Sequence, residues 1–397
     1  MINYLKFFAG TYNSMNVIDL FSGVGGLSLG ASRAGFNVKA AIELDPHAMA
    51  SHALNFPNSV HIQEDISSLT ANYIRERIGS HVKIDGVIGG PPCQGFSYIG
   101  KGDPNDSRNE LYTHFFRLVS EFEPSFFLAE NVPGIMQEKY MPLRESAFSL
   151  VSEKYNILNP IKVKASDYGA PTIRTRMFFI GVKKDLGNLP VDLFKPNNIK
   201  SVTVKEALQG LPESIDNSWQ REEDGWREIT RNNQGQFYSH LWGKIPEGVG
   251  DIESIEKLAS NIVSGCLGTI HSPKVIERYK GLAFGQVDKI SRSARLDPNG
   301  FCPTLRAGTA RDKGSYQALR PIHPYADRVI TPREAARLQG FPDWFRFHST
   351  KWHSFRQIGN SVSPIVAEFF LERLHTYLVN VGVQHVVSDN YPLKVGV

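Results

Sequence analysis

Cysteine is scarce in this chain of 397 residues. The three present, Cys93, Cys266 and Cys302, lie far apart with no CxxC pair. That argues against a disulfide framework or a thiolate zinc site and suits a reducing cytoplasm. Long apolar runs are missing too: no stretch of 18 occurs, which excludes a membrane-spanning helix. Met1–Gly10 lacks the small-residue cleavage site of a signal peptide. Internal repeats and low-complexity tracts are likewise absent. What remains is a globular composition, 41% hydrophobic and 21% charged, long enough for two domains.

Strong charge of either sign is lacking as well, since the formal net charge is +4, but the charge is unevenly placed. Residues 274–351 carry fifteen Lys and Arg against seven Asp and Glu, whereas 191–273 carry eight against twelve. A basic late segment in a near-neutral chain predicts either a polyanion partner there or a solvated charged face.

The first half reads as alternating strands and helices. Val17–Phe21 is an apolar strand, Ser22–Gly26 a glycine turn, and Leu27–Gly35 a helix closed by Gly35. This is the opening unit of a doubly wound α/β sheet. The next strand, Val38–Ile42, leads to Glu43, at the spacing where such folds set an acid against ribose hydroxyls. Ser28 breaks the GxGxxG pattern, so a single nucleoside-bearing cofactor is expected in place of a dinucleotide. A helix from Pro46 and a short strand at Val60–Ile62 bring Glu64-Asp65-Ile66 to another strand end. Asp65 either accepts from an adenine amino group or caps a helix beginning near Ser67.

Chemistry concentrates in the stretch Ile84–Ser97. An apolar strand ends at Gly89-Gly90, Pro91-Pro92 stiffen the exit, and Cys93 follows on that rigid mount. Cys93 is a candidate nucleophile, or else a small packed residue. Residues 98–108 read as a flexible loop and Asn109–Glu121 as an amphipathic helix. The strand Pro124–Leu128 runs on to Glu130, a second proton-handling group at the same sheet edge as Cys93. That edge is where open α/β sheets bind ligands. Arg174 and Arg176 alternate into the strand Met177–Val182, so both should face one way, toward an anion or a carbonyl oxygen.

Regular alternation stops near Lys183. Asp192–Asn198 reads as a linker and Glu206–Leu211 as a short helix. The aromatics Trp219, Trp226, Phe237, Tyr238 and Trp242 then sit among polar residues in a region with little periodicity. Thr331-Pro-Arg-Glu334 has the capping-box pattern of a helix start. Gln357–Pro364 reads as a second glycine turn before the apolar helix Ile365–Leu378.

Eight stretches, in order, carry a family resemblance: Asp19-Leu-Phe-Ser-Gly-Val-Gly-Gly26, Glu43-Leu-Asp45, Glu64-Asp-Ile66, Gly90-Pro-Pro-Cys-Gln-Gly-Phe-Ser97, Glu130-Asn-Val132, Arg174-Thr-Arg176, Thr331–Phe341 and Gln357–Pro364. Through them the chain resembles the DNA (cytosine-5)-methyltransferases of bacterial restriction–modification systems. The likeness spans residues 17–364 and leaves the 190–310 interior unmatched. It departs at Thr172-Ile173, where the family usually has Gln-Arg before the Arg-x-Arg.

The resemblance implies a Rossmann-like, S-adenosylmethionine-dependent methyltransferase sheet over residues 1–190, completed by 354–397. A second, smaller and irregular target-recognition domain would occupy 191–353. Cys93 would attack C6 of a flipped-out cytosine, and Glu130 would hold N3 and the exocyclic amine. Arg174 and Arg176 would contact the base or the adjacent backbone. Phe21, Ser22, Gly23, Gly25, Gly26, Glu43, Leu44, Asp65, Ile66, Pro91, Asn360, Ser361 and Val362 would surround S-adenosylmethionine. Residues 94–108 would close over the base, and Cys266 and Cys302 would be structural. No metal is required. The implied partner is double-stranded DNA, with the protein a monomer in the bacterial cytoplasm beside a cognate restriction endonuclease.

Overall fold

The structure, a computed structural model, describes residues 15–92, 110–216, 224–307 and 320–383. Cys93, the 94–108 loop, Met1–Gly10 and Trp219 lie outside the described residues. An eight-stranded sheet forms the centre. Its strands are β1 (Asn16–Leu20), β2 (Asn37–Ile42), β3 (Val60–Ile62), β4 (Gly86–Gly89), β5 (Phe126–Asn131), β6 (Tyr155–Ile157), β7 (Ile161–Lys164) and β8 (Thr175–Lys183). They lie in the order β3-β2-β1-β4-β5-β8-β6, with β7 also paired to β8. β1 to β5 are parallel, and β8 runs antiparallel to β5, β6 and β7. Helices α1 (Gly26–Arg33), α2 (Pro46–Asn55), α3 (Ala71–Ile78), α4 (Glu110–Phe122) and α5 (Met141–Ser149) fill the crossovers.

The order reverses between β1 and β4. The chain moves outward through β2 and β3, then returns to β4 on the other side of β1. In such sheets the crevice at the carboxyl ends of those two strands is the ligand site.

Period-two burial explains why β5 opens with the unbroken apolar run 126–129. Phe126 and Leu128 enter one hydrophobic core, whereas Phe127 and Ala129 enter the other. A sheet covered on both faces needs apolar side chains at every position. Each fully buried Phe contributes roughly 1.5–3 kcal/mol.

The last helix, α12 (Pro364–Asn380), packs on α1 where glycine lets the backbones approach. A Cβ on Gly30 would overlap Ala367 and the Glu368 amide, and one on Gly26 would overlap Ser361 and the Val362 carbonyl. The segment leading into α12 is thereby placed beside the first glycine turn.

The later region holds α6 (Val204–Leu208), β9 (Arg227–Glu228), α7 (Gln236–Trp242), α8 (Ile252–Ala259), β10 (Ile262–Val263), α9 (Pro273–Lys280), α10 (Pro332–Gln339) and α11 (Lys351–Asn360). The capping box at α10 is formed as read, with Thr331 and Glu334 each bonded to the other's backbone N–H. Several other readings need correction. Asp192–Asn198 is no free linker: Phe194 is buried and stacks on Phe370, with centroids 4.9 Å apart. Gln357-Ile-Gly-Asn360 is the last turn of α11, not a glycine turn, and Gly359 there admits the backbone of Arg306 and Ala307. The helix expected near Ser67 begins at Ala71 with Thr70 as its cap.

The basic surplus of 274–351 also has a different meaning. Arg295, Arg328, Arg333 and Arg337 are buried. Arg333 donates to the carbonyls of Ser264, Pro342 and Phe345. Arg328 forks onto Glu334, and Arg337 onto Asp343 at 2.7–2.8 Å. A guanidinium offers five donors in a fixed plane and cannot deprotonate, so it can gather loop carbonyls that no regular element satisfies. Arginine forks organise this irregular region. Much of its positive charge therefore faces inward, and a polyanion partner does not follow from the surplus.

Candidate active site

One wall of the crevice is the turn after β1. Phe21, Gly23 and Gly25 all have positive φ, at 61°, 54° and 102°. Only glycine adopts such angles without strain, so Phe21 is held there by its surroundings. Glu43, at the end of β2, accepts the Gly23 amide on Oε2 at 2.9 Å and the Asp45 amide on Oε1 at 2.8 Å. Burial pushes its carboxyl above the usual range, while those amide bonds oppose the rise. Glu43 thus braces the turn. Ser22 Oγ is buried with no hydrogen-bond partner among the described residues, and the space where a Gly23 Cβ would point is open.

Leu44 is 60% exposed beside this wall. Asp65 is exposed, and its Oδ1 accepts the Ser67 amide at 2.9 Å, which lowers its pKa. It caps a turn ahead of α3. Ile66 is buried. Ser361 and Val362 are buried against Gly26, while Asn360 is exposed.

The opposite wall is the exit of β4. Pro91 is buried, and its carbonyl accepts Asn131 Nδ2 at 3.3 Å, which ties the proline mount to the end of β5. Glu130 is 8% exposed on that strand, directly beside Gly90. Arg176 Nε lies 2.8 Å from Glu130 Oε1. The pair neutralises charge, yet Oε1 receives no well-aimed hydrogen bond from the described residues. Glu130 is therefore steadied with acceptor capacity to spare.

The two arginines do not act alike. Arg176 is the first charged residue inside β8 and reaches Glu130. Arg174 precedes the strand, is buried, and donates Nη1 to the Leu305 carbonyl at 3.1 Å. Its segment is clamped by Cys302, which exchanges backbone hydrogen bonds with Pro171 and Ile173. Thr172, one of the two departures from the family pattern, is buried there, and its hydroxyl accepts the Arg174 amide at 3.3 Å.

A glycine turn with its bracing acid, the proline exit of β4 and the Glu130 carboxylate of β5 thus gather at the carboxyl ends of adjacent parallel strands. The profile of the C-5 cytosine-specific DNA methylases matches residues 15–376. The chain belongs to that family. Type II methyltransferase M.XorII of Xanthomonas oryzae pv. oryzae is 41% identical over 355 residues, 88% of this chain and 82% of that protein. M.DdeI of Desulfomicrobium norvegicum is 32% identical, over 93% and 90% of the two chains. A solved E. coli structure described as a prophage-encoded DNA modification methyltransferase superposes with a TM-score of 0.85 at 64% identity, covering 92% of this chain and all of that one. The methylase is accordingly a DNA cytosine-5-methyltransferase of the type II restriction–modification kind.

Sequence reading missed two features of the methylase. Behind the glycine turn, Ser28 Oγ lies 2.6 Å from Asp19 Oδ2 and 3.0 Å from His52 Nε2, and His52 Nδ1 lies 2.9 Å from His61 Nε2. This chain of hydrogen bonds runs from a half-buried histidine to a buried acid. Ser28, noted only for breaking the glycine pattern, is its centre. The second feature is a trio of histidines, His47, His348 and His353, gathered from distant parts of the sequence. No thiolate or local spacing announces it.

Burial pushes the Asp19 carboxyl up to about 7. An acid whose folded pKa exceeds its unfolded value binds its proton more tightly in the native state. It therefore stabilises fully below about pH 4, and that contribution is lost as pH rises through 7. At about 1.36 kcal/mol per pH unit, the loss between pH 4 and 7 is roughly 4 kcal/mol. Asp19→Asn cannot ionise, so its unfolding free energy should fall less steeply over that interval. Parallel denaturation curves for the two proteins at every pH would refute this assignment.

Proposed function

We propose that the methylase transfers a methyl group from S-adenosylmethionine to C5 of one cytosine within a specific duplex DNA sequence. The target base is flipped out, and Cys93 bonds covalently to C6 during turnover. The observation that carries this reading is that the Glu130–Arg176 pair, the Pro91 mount and the Glu43-braced turn stand at the carboxyl ends of neighbouring parallel strands.

The residues present fit the cofactor. Ser22 Oγ is an unused buried polar group, Gly23 leaves an open cradle, and Glu43 presents carboxylate lone pairs suited to ribose hydroxyls. Exposed Leu44 would pack on an adenine face, and Asp65 and Ile66 would border it. Phe21, Gly25, Gly26, Pro91 and Asn360 to Val362 complete the surround. Bound there, the cofactor supplies an electrophilic methyl group.

Cys93, as thiolate, adds to C6, which divides one hard step into two easier ones. Glu130 bonds N3 and the exocyclic amine as negative charge develops on the ring. Arg176 steadies Glu130 and favours the thiolate. After C5 is methylated, loss of the C5 proton and expulsion of Cys93 restore the aromatic ring. C6 is inaccessible in a stacked duplex, hence the flipped base, over which residues 94–108 would close. Residues 1–190 with 354–397 form the catalytic part, and 191–353 read the sequence from the major groove. The protein acts as a monomer in the bacterial cytoplasm, protecting DNA from a cognate endonuclease.

The deciding assay supplies labelled S-adenosylmethionine with duplex DNA, transfer RNA, or a DNA duplex bearing 5-fluorocytosine. Label should enter DNA, and the fluorinated duplex should stay attached to the protein through denaturation. Label entering only RNA would overturn the proposal, as would failure to trap. Separately, Glu130→Gln keeps one acceptor oxygen but loses the charge opposite Arg176. Turnover should fall about 10²–10³-fold with cofactor affinity little changed. Equal losses in both quantities would contradict the role given to Glu130.

A further inference from the structure

We propose that the methylase carries a zinc-class divalent metal site formed by His47, His348 and His353. Among the described residues these three gather ligand nitrogens within 4.8 Å of one another. Their ring centroids lie 3.8 Å apart for His47 and His353, 4.4 Å for His348 and His353, and 4.9 Å for His47 and His348. Three imidazoles about 2.0–2.1 Å from a common tetrahedral ion hold their nitrogens about 3.3 Å apart, so binding would draw the three rings together by side-chain rotation, by up to about 1.5 Å. An all-imidazole set suits zinc, copper or nickel, and three protein ligands leave one position open for water.

The site has a built frame. Gln357 is buried one helical turn beyond His353 on α11. Its Oε1 accepts the His348 amide at 3.0 Å, and its Nε2 donates to the His47 carbonyl at 2.9 Å and to Ser51 Oγ at 2.9 Å. One amide thus holds the backbones of both other histidines and sits on the helix of the third. Asp45 fixes the His47 amide at 2.9 Å and pairs with Arg356 at 3.0 Å, leaving a carboxylate and a guanidinium beside the cluster. Two exposed contacts from Thr350 compete for His348 Nδ1: its amide donates at 3.0 Å and its hydroxyl lies at 3.1 Å. A metal-bound imidazole keeps a proton on its other nitrogen, so coordination through either ring atom gives up the exposed Thr350 amide bond and nothing buried.

The position gives the ion a consequence. His47 lies at the start of α2, two residues past Asp45, and α11 ends at Asn360. The cluster therefore joins the two segments proposed to wall the cofactor, although metal binding itself does not depend on that reading.

The untagged full-length protein, stripped with chelator, is dialysed against zinc and titrated with cobalt(II) as a spectroscopic probe. One equivalent of zinc should bind. Cobalt should give a visible d–d band without the near-ultraviolet thiolate band that a cysteine site would show. His47→Ala and His353→Ala should each weaken zinc binding about tenfold or more. Metal-free melting curves check folding, and exposed His47 is the variant least able to disturb it. Undiminished binding by the double variant, a cobalt–thiolate band, or no binding at micromolar zinc would each overturn the proposal.

Discussion

Cys93→Ser should lower methyl transfer to duplex DNA by roughly four orders of magnitude or more, with S-adenosylmethionine affinity unchanged. The reasoning begins with the nucleophile. A cysteine thiol near its ordinary pKa of about 8.5 is already partly thiolate at neutral pH, and a nearby guanidinium raises that fraction. A serine hydroxyl needs a general base instead, and the carboxylate at this edge, Glu130, is opposed to Arg176 at 2.8 Å. The proposed role of Glu130 is also at the base, not at the nucleophile. Serine would therefore present an uncharged, poorly activated oxygen to C6. The proline mount, tied by Asn131 to the Pro91 carbonyl, should survive the substitution and leave the cofactor wall intact. Single-turnover kinetics with an independent cofactor titration separates these outcomes. A serine variant retaining a tenth of the parent rate would remove Cys93 from the mechanism.

The second large effect concerns stability. Asp343→Ala should destabilise the fold by about 3–5 kcal/mol, because it leaves the Arg337 charge buried and unpaired. Both residues have fully buried side chains. Asp343 accepts Arg337 Nε at 2.8 Å and Nη2 at 2.7 Å, and also Trp242 Nε1 at 2.9 Å. Three donors would lose their acceptor together. Arg337 keeps the carbonyl of Gln209, at 2.8 Å, which satisfies a hydrogen bond but not the charge. Asp343→Asn, with one acceptor oxygen retained, should lose less. Denaturant midpoints for the two variants test the ranking; a loss below about 1 kcal/mol for the alanine variant would show that the buried charge is compensated elsewhere.

What was legible in the sequence was local. The strand, glycine turn and helix at residues 16–33 follow from apolar spacing and from backbone angles that glycine favours. Glu43 could be placed because its distance from the turn is set by one helix and one strand. The α10 capping box needs only Thr331, Pro332 and Glu334, all within one helical turn. Glu130 and Pro91 could be assigned to one edge because parallel strands point the same way.

Other features depended on residues far apart along the chain. Gly26 meets Ser361, and Gly30 meets Ala367, only once α12 folds back over α1. Arg174 and Arg176 look equivalent in an alternating pattern, yet Leu305 captures the first and Glu130 the second. The positive run at 274–351 allows a polyanion surface or a solvated face by its charge alone, yet Arg295, Arg328, Arg333 and Arg337 are buried and bond carbonyls inside. His47 and His353 lie 306 positions apart, and no period of 2 or 3.6 residues relates them. A sequence alone determines local geometry, because backbone preference and hydrogen bonds to near neighbours are set within a few residues. It left open which buried donor meets which distant acceptor, since that is decided by the packing of elements whose relative positions no local interaction encodes.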